Sequence, residues 1–158
     1  MSRRKSRILA FQGLYSIEVG NNSLEDVLRF DWNNSQLESE QDSDNSGSEK
    51  SREEIPSENI VYARMLVSGT MEHLCEIDEI IKMHLKSWDI SRVNKVSLSI
   101  LRMSVYSLKY QPELLPSIVI DEAIHLAKSF GPSDSFKFVN AILDNIKKYV
   151  NKTNESKI

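Results

Sequence analysis

Apolar positions recur every three or four residues along almost the whole chain, and no segment keeps the strict alternation of a half-buried strand. From about Arg3 to Val19, Ile8, Phe11, Tyr15 and Val19 form one stripe, and Leu9, Ala10, Leu14 and Ile17 form a second beside Gly13. A helix that is apolar on two sides packs between other helices. Asn21-Asn22-Ser23 breaks it, and Ser23 with Asp26 three residues on resembles a capping box, predicting a short second helix from Leu24 to about Asn33. Pro56-Ser57-Glu58 opens a long third helix to about Lys86, Trp88-Asp89-Ile90-Ser91 is a joint, and a fourth helix spans Arg92 to Tyr110. Gln111-Pro112 ends it, because proline disfavours helical backbone in the residue before it. Pro116-Ser117 starts a fifth helix to Phe130, where Gly131 is a natural left-handed terminator and Pro132 prevents continuation. Ser133 or Asp134 caps a last helix to about Val150, and the tail 151–158 is expected to fray.

In the fourth helix Val93, Val96, Ile100, Leu101, Val105 and Leu108 cover most of the circumference. The polar strip is narrow, made of Lys95, Arg102 and Lys109 with Ser99 and Tyr106, so this helix is also central. Two central helices wrapped by four others predict an all-α fold of two packed three-helix sub-bundles, one domain over 1–150. Five glycines and four prolines are too few for a turn-rich all-β protein, and 158 residues suit a single domain.

Charge changes this picture in two places. The formal net charge is −3. Residues 36–54 carry seven acids (Glu38, Glu40, Asp42, Asp44, Glu49, Glu53 and Glu54) against Lys50 and Arg52, with Leu37 the one apolar residue. Such a stretch buries too little surface to offset its ordering entropy and reads as a disordered acidic loop. It is either a solubilising insertion or an acidic mimic competing for a basic site. The opposite sign is concentrated at the start, in Arg3, Arg4, Lys5 and Arg7. With no apolar residue in the first two turns, this tip is expected to project into water.

Motifs for catalysis are missing from the sequence: no GxSxG elbow, HExxH, glycine-rich phosphate loop or CxxC. The single cysteine, Cys75, reads as a small buried hydrophobe. His73, His84 and His125 are scattered, and Glu72 and Glu76 form an i, i+4 pair of the kind common on exposed helix surface. No enzyme activity, cofactor or metal is expected. No apolar run approaches the roughly 20 residues that span a bilayer, and none follows the basic start as a secretory signal would require. One cysteine suits the reducing cytosol, so a cytoplasmic protein with no membrane partner is expected.

Arg3, Arg4 and Arg7 fall within about 100° of helical arc, and guanidinium groups bind phosphate oxygens bidentately, so the three can follow a nucleic-acid backbone. Lys5 points elsewhere and adds charge. Single-stranded RNA is held by phosphate contacts plus base stacking. Tyr15 lies two turns along, and Phe130, Phe136 and Phe138 flank the joint before the last helix. Each aromatic alone reads as core packing. Phe138, at the edge of the apolar arc, is placed to lie half exposed and offer a ring face.

RRKSRILAFQGLYSIE resembles the first helix of the bacterial NusB family, RVNKVSLSILRMSVYSL resembles its central helix, and DEAIHLAKSFGPSDSFKFVNAILDNI is similar to its most distinctive stretch. The resemblance covers nearly the whole chain except the acidic loop and the tail. It implies a NusB-like fold and a transcription antitermination factor. Such a factor binds boxA RNA of ribosomal RNA operon leaders together with NusE, the small-subunit ribosomal protein, and loads onto elongating RNA polymerase. Matched by position, it implies RNA contacts from Arg3, Arg4, Lys5, Arg7, Tyr15, Phe130, Lys137, Phe138 and Asn140, with Asp134 tuning affinity by repelling phosphate. It also places the NusE contact at Asn94 and Lys95, where the family commonly has an acid before the basic residue. Two other readings are the RNA-binding domain of an RNA cytosine methyltransferase, and a helical adaptor without RNA affinity.

Overall fold

The computed structural model describes residues 3–30, 57–86 and 88–155, and the acidic stretch 36–54 lies outside them. Among these residues there are helices and turns and no strand. The helices are α1 (Arg3–Gly20), α2 (Leu24–Arg29), α3 (Ser57–Glu72), α4 (Leu74–His84), α5 (Lys95–Tyr110), α6 (Pro116–Phe130) and α7 (Ser135–Glu155), with a 3-10 turn at Ile90–Arg92. No helix among the described residues is long and apolar enough to cross a membrane.

Two triads pack against each other. Helices α1, α2 and α3 contact one another pairwise, as do α5, α6 and α7, and α4 bridges α3 to the second triad. Helix α5 joins the triads, touching α1 and α3 on one side and α4, α6 and α7 on the other. Its sequence explains how one helix can serve so many neighbours. Leu98, Ile100, Leu101, Met103, Val105 and Leu108 are buried, and so are the small Ser97, Ser99, Ser104 and Ser107, which let the surrounding backbones come close. Burial of the large aliphatic side chains here, each worth about 1.5–3 kcal/mol, is the main source of cohesion.

Most predicted boundaries hold. Ser23 Oγ accepts from the Asp26 N–H (3.1 Å), and Pro116 occupies the first turn of α6, where its missing N–H costs nothing. The second helix is shorter than expected, because Phe30 turns left-handed (φ 54°) to bury its ring. The fourth begins at Lys95 and not Arg92. Asn94 caps it by accepting from the Val96 and Ser97 N–H groups (3.0 and 3.3 Å), while Arg92 belongs to the 3-10 turn.

The expected single third helix is two. His73 leaves helical geometry (ψ 18°), although its carbonyl accepts the Ile77 N–H and the chain rejoins a helix at once. The apolar period runs through the break, so the pattern alone does not show it. The bend arises because α3 packs on α1 whereas α4 turns Ile77, Ile80 and Ile81 toward α5 and α7. Thr70 Oγ1 bonds back to the Leu66 carbonyl (2.6 Å), a contact that bends helices. Gly69 lies directly beneath the Tyr106 ring, and a Cβ added there would collide with it. Gly69→Ala is therefore expected to cost about 1–3 kcal/mol, and trimming the ring in Gly69→Ala/Tyr106→Leu to recover part of that, read by urea unfolding.

Three further expectations are corrected. Gly131 is extended (φ −91°, ψ 168°), not left-handed, and its requirement is space: a Cβ would sit 2.5 Å from Ser135 Oγ and 2.8 Å from the Ala127 carbonyl oxygen. The left-handed residue of that turn is Asp134 (φ 67°). Helix α7 continues past Val150 to Glu155, and of the tail 151–158 only the last three residues lie outside the described ones. Cys75 is exposed, because it shares the outer face of α4 with Glu79 and Lys82, opposite the isoleucines.

An ion-pair ladder crosses the junction of the triads along the polar strip of α5. Arg102 donates from Nε and Nη2 to both Asp78 carboxylate oxygens and from Nη1 to Glu18, each at 2.9 Å. Lys95 also reaches Glu18 (3.2 Å), and Lys109 and Tyr110 both meet Glu76. Hydrogen bonding from Arg102 holds the Glu18 carboxyl below the usual glutamate range, against the opposing effect of partial burial. Burial alone would lower the Arg102 pKa, and the bonds to Asp78 and Glu18 outweigh it and raise it.

Candidate nucleic-acid interface

Helices α1 and α6 run parallel, and two side-chain pairs stitch the seam between them. Arg4 donates to Glu122 (3.2 and 3.3 Å), and seven residues further on Phe11 meets Phe130, ring centroids 5.3 Å apart. Tyr15, one more turn along, lies 6.4 Å from Phe11. Arg4, Arg7, Phe11 and Tyr15 follow one another at three- and four-residue steps and so share one face of α1. The seam thus has a cationic end and an aromatic end about 10 Å apart along the axis.

The basic tip does not simply project into water. Arg3, Arg4 and Lys5 are exposed, but the Arg3 guanidinium lies over the Tyr62 ring of α3 (4.0 Å), while Arg4 turns to α6. Glu122 raises the Arg4 pKa, first through the hydrogen bond and then through its charge. Arg7 is buried, 8% exposed. Its neighbour Ser6 is buried too, bonded to Asn59 (3.3 Å). The tip is pulled inward because α1 packs on α3 from its first turn.

At the aromatic end Phe130 is 41% exposed and Tyr15 half exposed, whereas Phe11 beneath them is core. Across the 131–134 turn, Lys128 lies over the Phe136 ring at 4.8 Å and Lys137 at 6.0 Å, and Lys137 also pairs with Asp134 (3.7 Å). Phe138 is half-buried against the core, while Lys137 and Asn140, three apart on α7, face water. Phe11 and Phe136 were missing from the predicted site residues. Their signal was the helical spacing from Tyr15 and the basic residues on either side of the turn. The Asn94–Lys95 pair lies elsewhere, at the start of α5 beside the end of α1. Asn94 serves as the cap and Lys95 holds Glu18. Among the described residues no group of three His, Cys, Asp or Glu side chains could hold a metal ion.

The family model described as NusB matches residues 4–148. The chain belongs to the NusB family. Among NusB relatives, the transcription antitermination protein NusB of Treponema denticola is 46% identical over 93% of this chain and 96% of its own length. That of Myxococcus xanthus is 32% identical over 96% of this chain and 98% of its own. Of solved structures, NusB from T. maritima superposes with a TM-score of 0.70 at 30% identity, covering 94% of this chain and 92% of that one. A chain in the crystal structure of a plectonemic RNA supercoil superposes at 0.73 and 27% identity, over 94% and 96%. The NusB fold, with its two packed triads, is therefore the frame that sets Arg4 against α6 and Phe11 against the start of the α6–α7 turn.

Proposed function

We propose that this chain is a non-enzymatic transcription antitermination factor that binds boxA-type single-stranded RNA of ribosomal RNA operon leaders together with NusE and helps load the antitermination complex onto RNA polymerase. The observation that carries the RNA part is the α1–α6 seam. Along one line it sets the exposed Arg4, the buried Arg7 and a row of rings ending in exposed Phe130. Unpaired RNA needs that combination, cations for phosphates and ring faces for bases. Lys128, Lys137 and Asn140 extend it onto the α6–α7 turn and α7. NusE is assigned to the Asn94–Lys95 end of α5, as family membership implies.

The test is binding to a boxA-like single strand across a salt series, with and without NusE. If Arg3, Arg4, Lys5 and Arg7 each neutralise a phosphate, the log–log slope should be roughly −3, at about 0.7 per contact, and Arg3→Ala/Arg4→Ala should flatten it by roughly 1.4. A flat profile, or no binding even with NusE present, would leave only the protein-adaptor reading. Phe138→Ala should weaken RNA binding by about 1–3 kcal/mol if the ring stacks on a base. An effect seen only in the unfolding curve would assign that ring to the core.

A further inference from the structure

One exposed surface takes no part in this function. On α3, Val61 and Met65 stand one turn apart, 62% and 36% exposed. Beside them three half-exposed rings are stacked: His73 lies 4.0 Å from Tyr110 and 6.4 Å from Tyr106, and the two tyrosines are 5.6 Å apart. Tyr106 Oη donates to Met65 Sδ (3.6 Å), which ties the rings to the apolar pair. Carboxylates frame the whole: exposed Glu58 and Glu72 on α3, Glu76 on α4 and Glu113 just past α5. Burial, and after it the charge of Glu72, hold both tyrosine hydroxyls above the ordinary phenol range, and Glu113 adds to this at Tyr106. Cations at its border are engaged: Lys109 with Glu76 and, at 5.7 Å, with the edge of the stack at Tyr110, Arg64 with the Leu28 carbonyl, and Arg3 with the Tyr62 ring.

We propose that this α3–α5 face docks a cationic segment of a protein partner, whose arginine or lysine side chains lie over Tyr106 and Tyr110 against Glu72 and Glu113, and whose apolar side chains cover Val61 and Met65. Ring faces attract guanidinium and ammonium groups, and carboxylates set round an apolar patch select for positive charge. The same carboxylates repel RNA phosphates. They also repel the chain's own 36–54 stretch, with its seven acids against two bases. A second copy presenting the same face would set glutamate against glutamate. The face is at the far end of α5 from Lys95, about 22 Å away along the helix axis, so it does not continue the NusE contact assigned above.

The experiment titrates the isotope-labelled full chain with a synthetic amphipathic leucine–arginine peptide, and with the same peptide carrying glutamate for arginine. Amide shifts should gather at Val61, Met65, Glu72, His73, Tyr106 and Tyr110 with the first peptide and not the second. Glu72→Lys/Glu113→Lys should weaken the arginine peptide about tenfold while RNA affinity is unchanged. Val61→Ser, at an open position, should also weaken it without moving the unfolding midpoint. Scattered shifts or equal binding of both peptides would overturn the proposal. So would shifts at these residues caused by RNA, or by raising the concentration of the chain alone.

Discussion

Phe11→Ala is expected to lower folding stability by about 3–5 kcal/mol and to loosen the RNA face at the same time. The ring is 3% exposed and touches both Tyr15 and Phe130, so its loss leaves a cavity under the two rings that reach the surface. Phe11→Leu separates the two effects. It fills most of the volume and should cost under about 1.5 kcal/mol, yet it removes the surface on which Phe130 leans. Denaturant unfolding and RNA binding measured on both variants decide the matter. RNA affinity in Phe11→Leu should fall by more than its stability loss explains. Unchanged affinity would mean that Phe130 holds its place without support, and Phe11 would then be core alone.

Removing the charge of Arg102 should have a comparable effect. Arg102→Met leaves Glu18 and Asp78 facing each other across the triad junction, where the Arg102 side chain is only 12% exposed. Breaking a buried pair by deleting one member costs about 3–5 kcal/mol, and partial wetting of both carboxylates brings the expectation to about 2–4 kcal/mol. The pH dependence has a definite sign. The Glu18 pKa is depressed in the folded state, so its contribution is present above the ordinary glutamate range and is lost as pH falls through the folded value. The native chain should therefore lose stability on acidification more steeply than Arg102→Met. Replacing both carboxylates as well, in Arg102→Met/Glu18→Leu/Asp78→Leu, should return much of the loss. A single-variant cost below about 1 kcal/mol would show that water already screens the ladder.

Helix positions were legible in the sequence because each apolar stripe faces one set of neighbours, as along α5 and α6. The α3–α4 bend was not legible, because the stripe keeps its phase through His73 while the packing partner changes. Gly131 and Phe30 show the same limit at the scale of single residues. The left-handed backbone went to Phe30 and Asp134, where burial or turn closure required it, and Gly131 was needed for its missing Cβ. For the candidate site, Arg3, Arg4, Lys5, Tyr15 and Phe130 could be picked out by type and spacing. The inward turn of Arg7, the hold of Tyr62 on Arg3 and the underlay of Phe11 could not be, since each depends on which helix lies alongside α1. Cys75 was misplaced for a related reason: free cysteines tend to be interior, but its place on the helix wheel opposite Ile77 and Ile81 outweighed that tendency.

The pairing of Arg4 with Glu122 joins positions 118 residues apart. An amino-terminal fragment that stops before α6 lacks the strip they form, however well its first three helices fold. During synthesis the ribosome must release the polypeptide beyond Glu122 before that strip can be assembled.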